Sequence, residues 1–216
     1  MKFSRGKNLK LLDKKSIFID DTVKIGDNVT IYENNRIEGK TIIQDGVTIL
    51  PNCFIKDTTI GKNSTINYSQ AENSEIGENC KIGPFARLRP KSVIKKGAKI
   101  GNFVEIKNAI IGENSKVSHL AYVGDVTIGN ECNIGCGAIF VNYNGKIKQQ
   151  STVGDNCFIG SNCNVIAPVV IESNSYICAG TTITEKVKAD DFVIGRVRQK
   201  NKENRAHKYL KKGGNE

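Results

Sequence analysis

Tryptophan is absent from this 216-residue chain, methionine occurs once, and aromatic residues make up only 6% of it. A large globular core built around rings is thereby excluded. Proline occurs four times and histidine twice. Two histidines cannot supply a zinc site that needs three. No stretch approaches the roughly 18 apolar residues of a membrane helix. The opening segment, Met1 to Asp21, carries charges throughout and has no apolar run of signal-peptide length. These absences predict a cytoplasmic protein without membrane insertion. A nucleotide loop of the G-x-x-x-x-G-K-[ST] kind and a serine nucleophile elbow are also missing.

What the chain does have is a beat. An aliphatic residue recurs every sixth position, often with glycine behind it, as in Ile76-Gly77, Ile82-Gly83, Ile100-Gly101, Ile128-Gly129, Ile134-Gly135 and Ile159-Gly160. A six-residue repeat of this kind is the sequence sign of a parallel β-helix, an all-β solenoid. Each repeat supplies a short strand and a turn, and three repeats make one triangular coil. Coils bury one another's aliphatic edges, so the array has to be long. The repeat domain is expected over 23–184, with irregular patches near 33–41 and 68–74. Residues 1–22 are read as a leader or cap, and 185–216 as a C-terminal extension ending in a frayed Gly213-Gly214. The beat stops at Phe140 and resumes at Val153. Residues 140–152 are therefore expected to leave the column as a polar loop, with a tight turn at Asn144-Gly145.

Seven cysteines are present. Cys80, Cys132, Cys157 and Cys163 each fall four positions after a repeat aliphatic, a slot for a small buried side chain. A cytoplasmic setting argues against disulfides, and no C-x-x-C pair marks a zinc site. The formal net charge is +10, of which the stretch from Arg196 to Glu216 carries +6, from eight basic and two acidic residues. No interleaved aromatics or nucleic-acid motif accompany this basic tail. It reads as a solvated segment or a contact for a phosphorylated small molecule, not as a nucleic-acid interface.

Histidine is the natural proton carrier near neutral pH. His207 falls in the basic tail, whereas His119 lies inside a repeat, in an outward slot. Tyr122 follows it by three positions, and Glu105 lies 14 residues earlier, in a neighbouring strand. A carboxylate beside a histidine can fix its tautomer and raise its basicity. Arg87, Arg89, Lys107 and, from the loop, Lys148 gather in the same coils. Guanidinium and ammonium groups hold phosphate. The combination points to an anionic substrate beside a base.

Several runs carry a resemblance. They are Ile-Gly-Pro-Phe-Ala-Arg-Leu-Arg-Pro (82–90), Gly-Asn-Phe-Val-Glu (101–105), His-Leu-Ala-Tyr-Val-Gly-Asp (119–125), Asn-Ile-Gly-Cys-Gly (133–137), Asn-Tyr-Asn-Gly (142–145) and Ala-Gly-Thr-Thr (179–182). From Ile82 to Arg198 the chain resembles the acetyltransferase half of the bifunctional bacterial N-acetylglucosamine-1-phosphate uridyltransferase/glucosamine-1-phosphate acetyltransferase. The coils from Val23 to Lys81 are similar to the first turns of that domain. The resemblance implies a left-handed helix, a homotrimer with active sites between subunits, and acetyl-CoA as co-substrate with no metal. It makes His119 the general base and Glu105 its supporting carboxylate. Arg89, Lys107, Tyr122 and Lys148 would hold the sugar phosphate, and Asn133 and Asn142 the sugar. Tyr143, Ser161, Ala179 and Arg196 would contact acetyl-CoA. A backbone N–H near Cys136 would meet the oxyanion.

The expected reaction is N-acetylation of glucosamine 1-phosphate, a precursor step for the cell envelope. The family's uridyltransferase domain has no counterpart here, so no uridyltransferase activity is expected. Cys136 replaces a smaller residue, and the tail departs from the family's usual end. The alternatives are the same chemistry on another amino sugar, including a nucleotide-linked one, or a non-catalytic trimeric scaffold. The joint presence of His119, Glu105, Arg89 and Lys148 argues against the scaffold. A β-helical carbonic anhydrase is excluded by the histidine count.

Overall fold

The computed structural model describes residues 3–210, so the expected frayed end at Gly213-Gly214 lies outside the described residues. Strands, most of two or three residues, alternate with turns from Ser4–Arg5 to Phe192–Val193. Among the described residues the sole helical element is a 3-10 turn at Ala206–Lys208. Strand pairs with strand in parallel, each bonding its counterpart one coil on. Lys81 pairs with Lys99, and Lys99 with Lys116. Three ribbons result, each running along the column. One contains Lys24–Ile25, Ile42–Ile43 and Thr59–Ile60. A second contains Thr30–Ile31, Thr48–Ile49 and Thr65–Ile66. The third contains Arg36–Glu38, Phe54–Lys56 and Gln70–Glu72.

The six-residue beat explains this directly. In these strands one residue faces out and its neighbour faces in. The inward residues Ile25, Ile31, Ile43, Ile49, Ile60 and Ile66 are at most 5% exposed. Burying one such side chain contributes about 1.5–3 kcal/mol. A two-residue strand has little else to hold it, so each coil depends on the next. The same narrow interior takes the thiols. Cys80, Cys132, Cys157 and Cys163 are buried, and all seven cysteines are free. Burial pushes the Cys53 thiol up to about 11.

Corners need a left-handed backbone. Asn28, Asn63, Asn79, Asn114, Asn156 and Asn174 supply it with φ between 53° and 62°. Asparagine tolerates this region because its short polar side chain bonds locally. Its side chains also join coils, as in the Asn156 Nδ2 to Asn174 Oδ1 hydrogen bond of 3.0 Å. At Gly97 (φ 71°) a Cβ would lie 2.2 Å from Oδ1 of Asn114 in the next coil, so any side chain there would have to displace that amide.

Pairing begins at Ser4, where Ser4 and Arg5 face Lys24 and Ile25. Residues 4–19 thus already contribute three strands stacked on the coil above. At the other end Phe192 and Val193 pair with Tyr176 and Ile177. Phe140, expected to leave the column, is instead inward, 2% exposed and paired with Val165. Ser151 and Thr152 likewise sit in a paired strand. The excursion is confined to 142–150, closed by an antiparallel bridge between Tyr143 and Lys148. Two strands are far longer than the rest. Lys99–Lys107 and Lys116–Gly124, nine residues each, turn a corner without a break and pair from Lys99↔Lys116 to Lys107↔Gly124.

Candidate active site

The two long strands carry most of the chemistry. On one face, Arg87, Glu105, Tyr122 and Ile139 follow one another in register through successive coils. Glu105 Oε1 lies 2.7 Å from Arg89 Nη1, with both side chains partly exposed. The carboxylate raises the guanidinium pKa further and holds its fork in one place. Two residues beyond Glu105 is Lys107. The 142–150 segment folds back so that Lys148 lies against Lys107. Contact with the Lys107 ammonium lowers the Lys148 pKa, and Asp125 and Tyr122 only partly offset this. Two ammonium groups are thus gathered beside an anchored guanidinium.

Asn142 is the buried member of this group, at 9% exposure. Its amide donates to Asp125 Oδ2 and, at 3.4 Å, to the Tyr122 hydroxyl. Asp125 also accepts from Asn108 Nδ2 at 2.5 Å. The Tyr122 ring lies over Gly124, where a Cβ would be 2.5 Å from the phenol oxygen. Asp125 and Asn108 were given no role by the sequence motifs. The signal for Asp125 is that it closes the run 119–125, and its 6% exposure shows why an ionisable group there needs partners.

His119 is on the same strand as Tyr122 but on the adjoining side of the corner. Its Nδ1 lies 2.8 Å from Asn102 Oδ1. Among the described residues no hydrogen bond or ion pair joins His119 to Glu105, whose carboxylate is engaged by Arg89. His119 precedes a left-handed corner residue, Leu120. Cys136, Ser161 and Ala179 likewise precede Gly137, Asn162 and Gly180. Corner hydrogen bonds of 2.7–2.8 Å (Gly137 N–H to Leu120 O, Asn162 N–H to Cys136 O, Gly180 N–H to Ser161 O) align these coils. His119, Cys136, Ser161 and Ala179 therefore form a line along one edge of the column. Arg196 extends it, its Nη1 donating to Ala179 O at 2.7 Å. Gly135 and Gly137 donate their N–H groups to neighbouring coils, whereas the N–H of Cys136 has no partner among the described residues.

Asn133 pairs with Lys116 and Phe158, which places it on the His119 side and away from Arg89 and Lys107. Tyr143 is exposed and turns its hydroxyl onto Gly145 O at 2.7 Å, within its own loop. Between the histidine edge and the cationic face lies a shallow depression lined by Phe103, Glu105, Leu120, Tyr122, Ile139 and Asn162. The chain thus joins an exposed imidazole, an aligned edge with a free N–H, and a cation cradle.

Residues 70–140 match the GMPPB C-terminal domain, and residues 150–185 match the bacterial transferase hexapeptide (six repeats). The chain is 47% identical over 191 residues to "Bifunctional protein GlmU" of Clostridium novyi (strain NT), covering 88% of this chain and 42% of that protein. It is 43% identical over 198 residues to the protein of the same name from Clostridium kluyveri, covering 92% of this chain and 43% of that one. The chain therefore spans less than half the length of these relatives. Among solved structures it is similar to Arabidopsis UDP-N-acetylglucosamine acyltransferase, with a TM-score of 0.48 and 16% identity over 88% of this chain and 68% of that one.

Proposed function

We propose that this chain, which resembles the acetyltransferase half of the bifunctional uridyltransferase/acetyltransferase, transfers an acetyl group from acetyl-CoA to the amine of glucosamine 1-phosphate. The observation that carries the reading is the placement of Lys148 against Lys107 beside the Glu105-anchored Arg89. Two ammonium groups crowded together are costly alone and favourable around a dianion. Nothing in the solenoid requires the crowding, since Lys148 arrives on a segment outside the repeat.

In this reading the sugar phosphate occupies the cation cradle and the amine is directed towards the His119 edge. The ammonium form is not nucleophilic. The neutral amine therefore attacks, and Nε2 of His119 takes a proton from the amine nitrogen as that nitrogen bonds to the thioester carbonyl carbon. The tetrahedral oxyanion is met by the free N–H of Cys136. The C–S bond then breaks, and the CoA thiolate leaves and takes up a proton. Acetyl-CoA lies along the edge formed by Cys136, Ser161 and Ala179, with Arg196 at its far end. Tyr143 reaches it from the loop, and Asn133 and Asn142 bond the sugar. Cys136 replaces a smaller residue but contributes only its backbone, so the substitution is tolerated.

The helix is taken as left-handed and the assembly as a cytoplasmic homotrimer that closes each site with a neighbouring subunit. One feature supports assembly. Tyr68, Phe85, Phe103 and Leu120 occupy left-handed corner positions in four successive coils, with φ of 42°, 57°, 58° and 38°. Bulky residues there are strained, and these four are 45–59% exposed. At the same corner of other coils stand Asn34, Asn52, Gly137, Asn162 and Gly180. The Tyr68 and Phe85 rings pack at a tilt, 4.7 Å between centroids, and the Phe85 and Phe103 rings stack at 5.5 Å, making an apolar strip suited to a second copy of the chain.

The test is release of free thiol from acetyl-CoA across a panel of amino sugars, phosphorylated, nucleotide-linked and unmodified. Glucosamine 1-phosphate should give the highest kcat/KM. Turnover with a nucleotide-linked amino sugar alone would move the substrate assignment, and no turnover with any amine would reject the enzyme reading.

A further inference from the structure

The proposed base is held by a residue that no motif assigns. Asn102 and His119 face one another across the two long strands, and Asn102 Oδ1 lies 2.8 Å from His119 Nδ1. An amide oxygen only accepts, so the contact requires the proton on Nδ1. A neutral imidazole has one ring proton, which leaves a lone pair on Nε2. In water the opposite tautomer, with Nε2 protonated, is the favoured one. We infer that Asn102 is the positioning residue that sets the tautomer and ring orientation of His119, rests on the reading of His119 as base, and replaces Glu105 in that role.

The geometry leaves Glu105 no part in it. Its carboxylate is three residues further along the strand, around the corner, and is paired with Arg89. The difference has chemical consequences. A carboxylate at Nδ1 would stabilise the imidazolium formed when the amine gives up its proton. A neutral amide fixes the ring without that stabilisation, so the proton is passed on readily to the departing thiolate. Base and acid roles at one nitrogen favour such a balance. The contact is also built on stiff ground. Asn102 directly precedes the corner residue Phe103, as His119 precedes Leu120, so both side chains leave the column at equivalent points.

The chain's two histidines make this directly observable. Protein labelled with 15N-histidine is compared with its His207→Gln variant, which assigns the His119 signals. The expected spectrum has a protonated Nδ1 and a bare Nε2 at neutral pH. A protonated Nε2 in the wild-type protein overturns the inference without any variant at His119. Asn102→Leu should mix the tautomers and lower kcat by about tenfold or more, the direction seen when a tautomer-setting partner is lost, with KM for the sugar phosphate nearly unchanged. Asn102→Asp should keep Nδ1 protonated and recover activity over the Leu variant. Should the Leu variant fail to fold, Asn102→Ser serves in its place. An unchanged tautomer and kcat in the folded variant would also overturn the inference. Full activity in His119→Ala, by contrast, would reject the base assignment itself, whatever the spectrum shows.

Discussion

Lys148 is held against Lys107, 41 residues earlier in the chain, by a segment that leaves the repeat and returns. Lys148 consequently loses its proton more easily than an ordinary lysine. In the unfolded chain it regains its usual value, so between the two pKa values the unfolded state binds more protons and stability rises with pH. Lys148→Met should therefore raise the melting temperature of the ligand-free protein at neutral pH. It should also weaken glucosamine 1-phosphate more than acetyl-CoA, as read by calorimetry. At alkaline pH, where the lowered Lys148 pKa has begun to release its proton, binding of the phosphate should restore it, and proton uptake measured in buffers of different ionisation heat should be present in the wild type and reduced in the variant.

His119→Ala should lower kcat by about 10² or more, the usual size of a general-base effect, with the fold intact by circular dichroism. A thiol-release assay at saturating substrates checks it.

The Arg89–Glu105 pair is only partly buried, with side-chain exposures of 38% and 36%. Such a pair adds no more than about 1 kcal/mol to stability. Glu105→Gln should thus shift the denaturation midpoint slightly while raising KM for the sugar phosphate, because Arg89 loses its anchor. Arg89→Lys should raise it further, since an ammonium cannot reproduce the planar fork.

Asp125 receives the Asn108 and Asn142 amides at a nearly closed site. Asp125→Ala leaves both donors without their acceptor, and each such loss costs about 1–3 kcal/mol. Urea denaturation should show a clear drop in midpoint, accompanied by weaker sugar-phosphate binding as Asn142 and its loop lose their anchor.

Phe85→Ser combined with Phe103→Ser should disperse the assembly. Light scattering after size exclusion should show a three-chain mass for the wild type and a single-chain mass for the variant, with the strand signal in circular dichroism retained.

The column was legible because its inward slots are chemically monotonous. Where they are not, the beat faded. Ala71 fills an inward slot opposite Ile55, which made the stretch around 68–74 look irregular. Arg5 stands opposite Ile25 where the beat calls for an aliphatic, and this hid the strands of residues 4–19. Phe140 was read as an exit because an aromatic is rare in this interior, yet a single large ring packs there. The cationic cluster was legible from the motif runs. The partner of His119 was not, because periodicity alone does not tell which of Asn102 and Glu105, on one strand, lies on the imidazole's side of the corner.

The uninterrupted strands Lys99–Lys107 and Lys116–Gly124 have a consequence for selectivity. His119, Glu105, Lys107 and Tyr122 are mounted on a single welded girder, with no hinge between them, and Lys148 is brought to it by the 142–150 segment. The girder does not discriminate by closing upon the correct guest. It has to work as a fixed gauge, in which a sugar whose amine and phosphate are spaced differently reaches one station and misses the other.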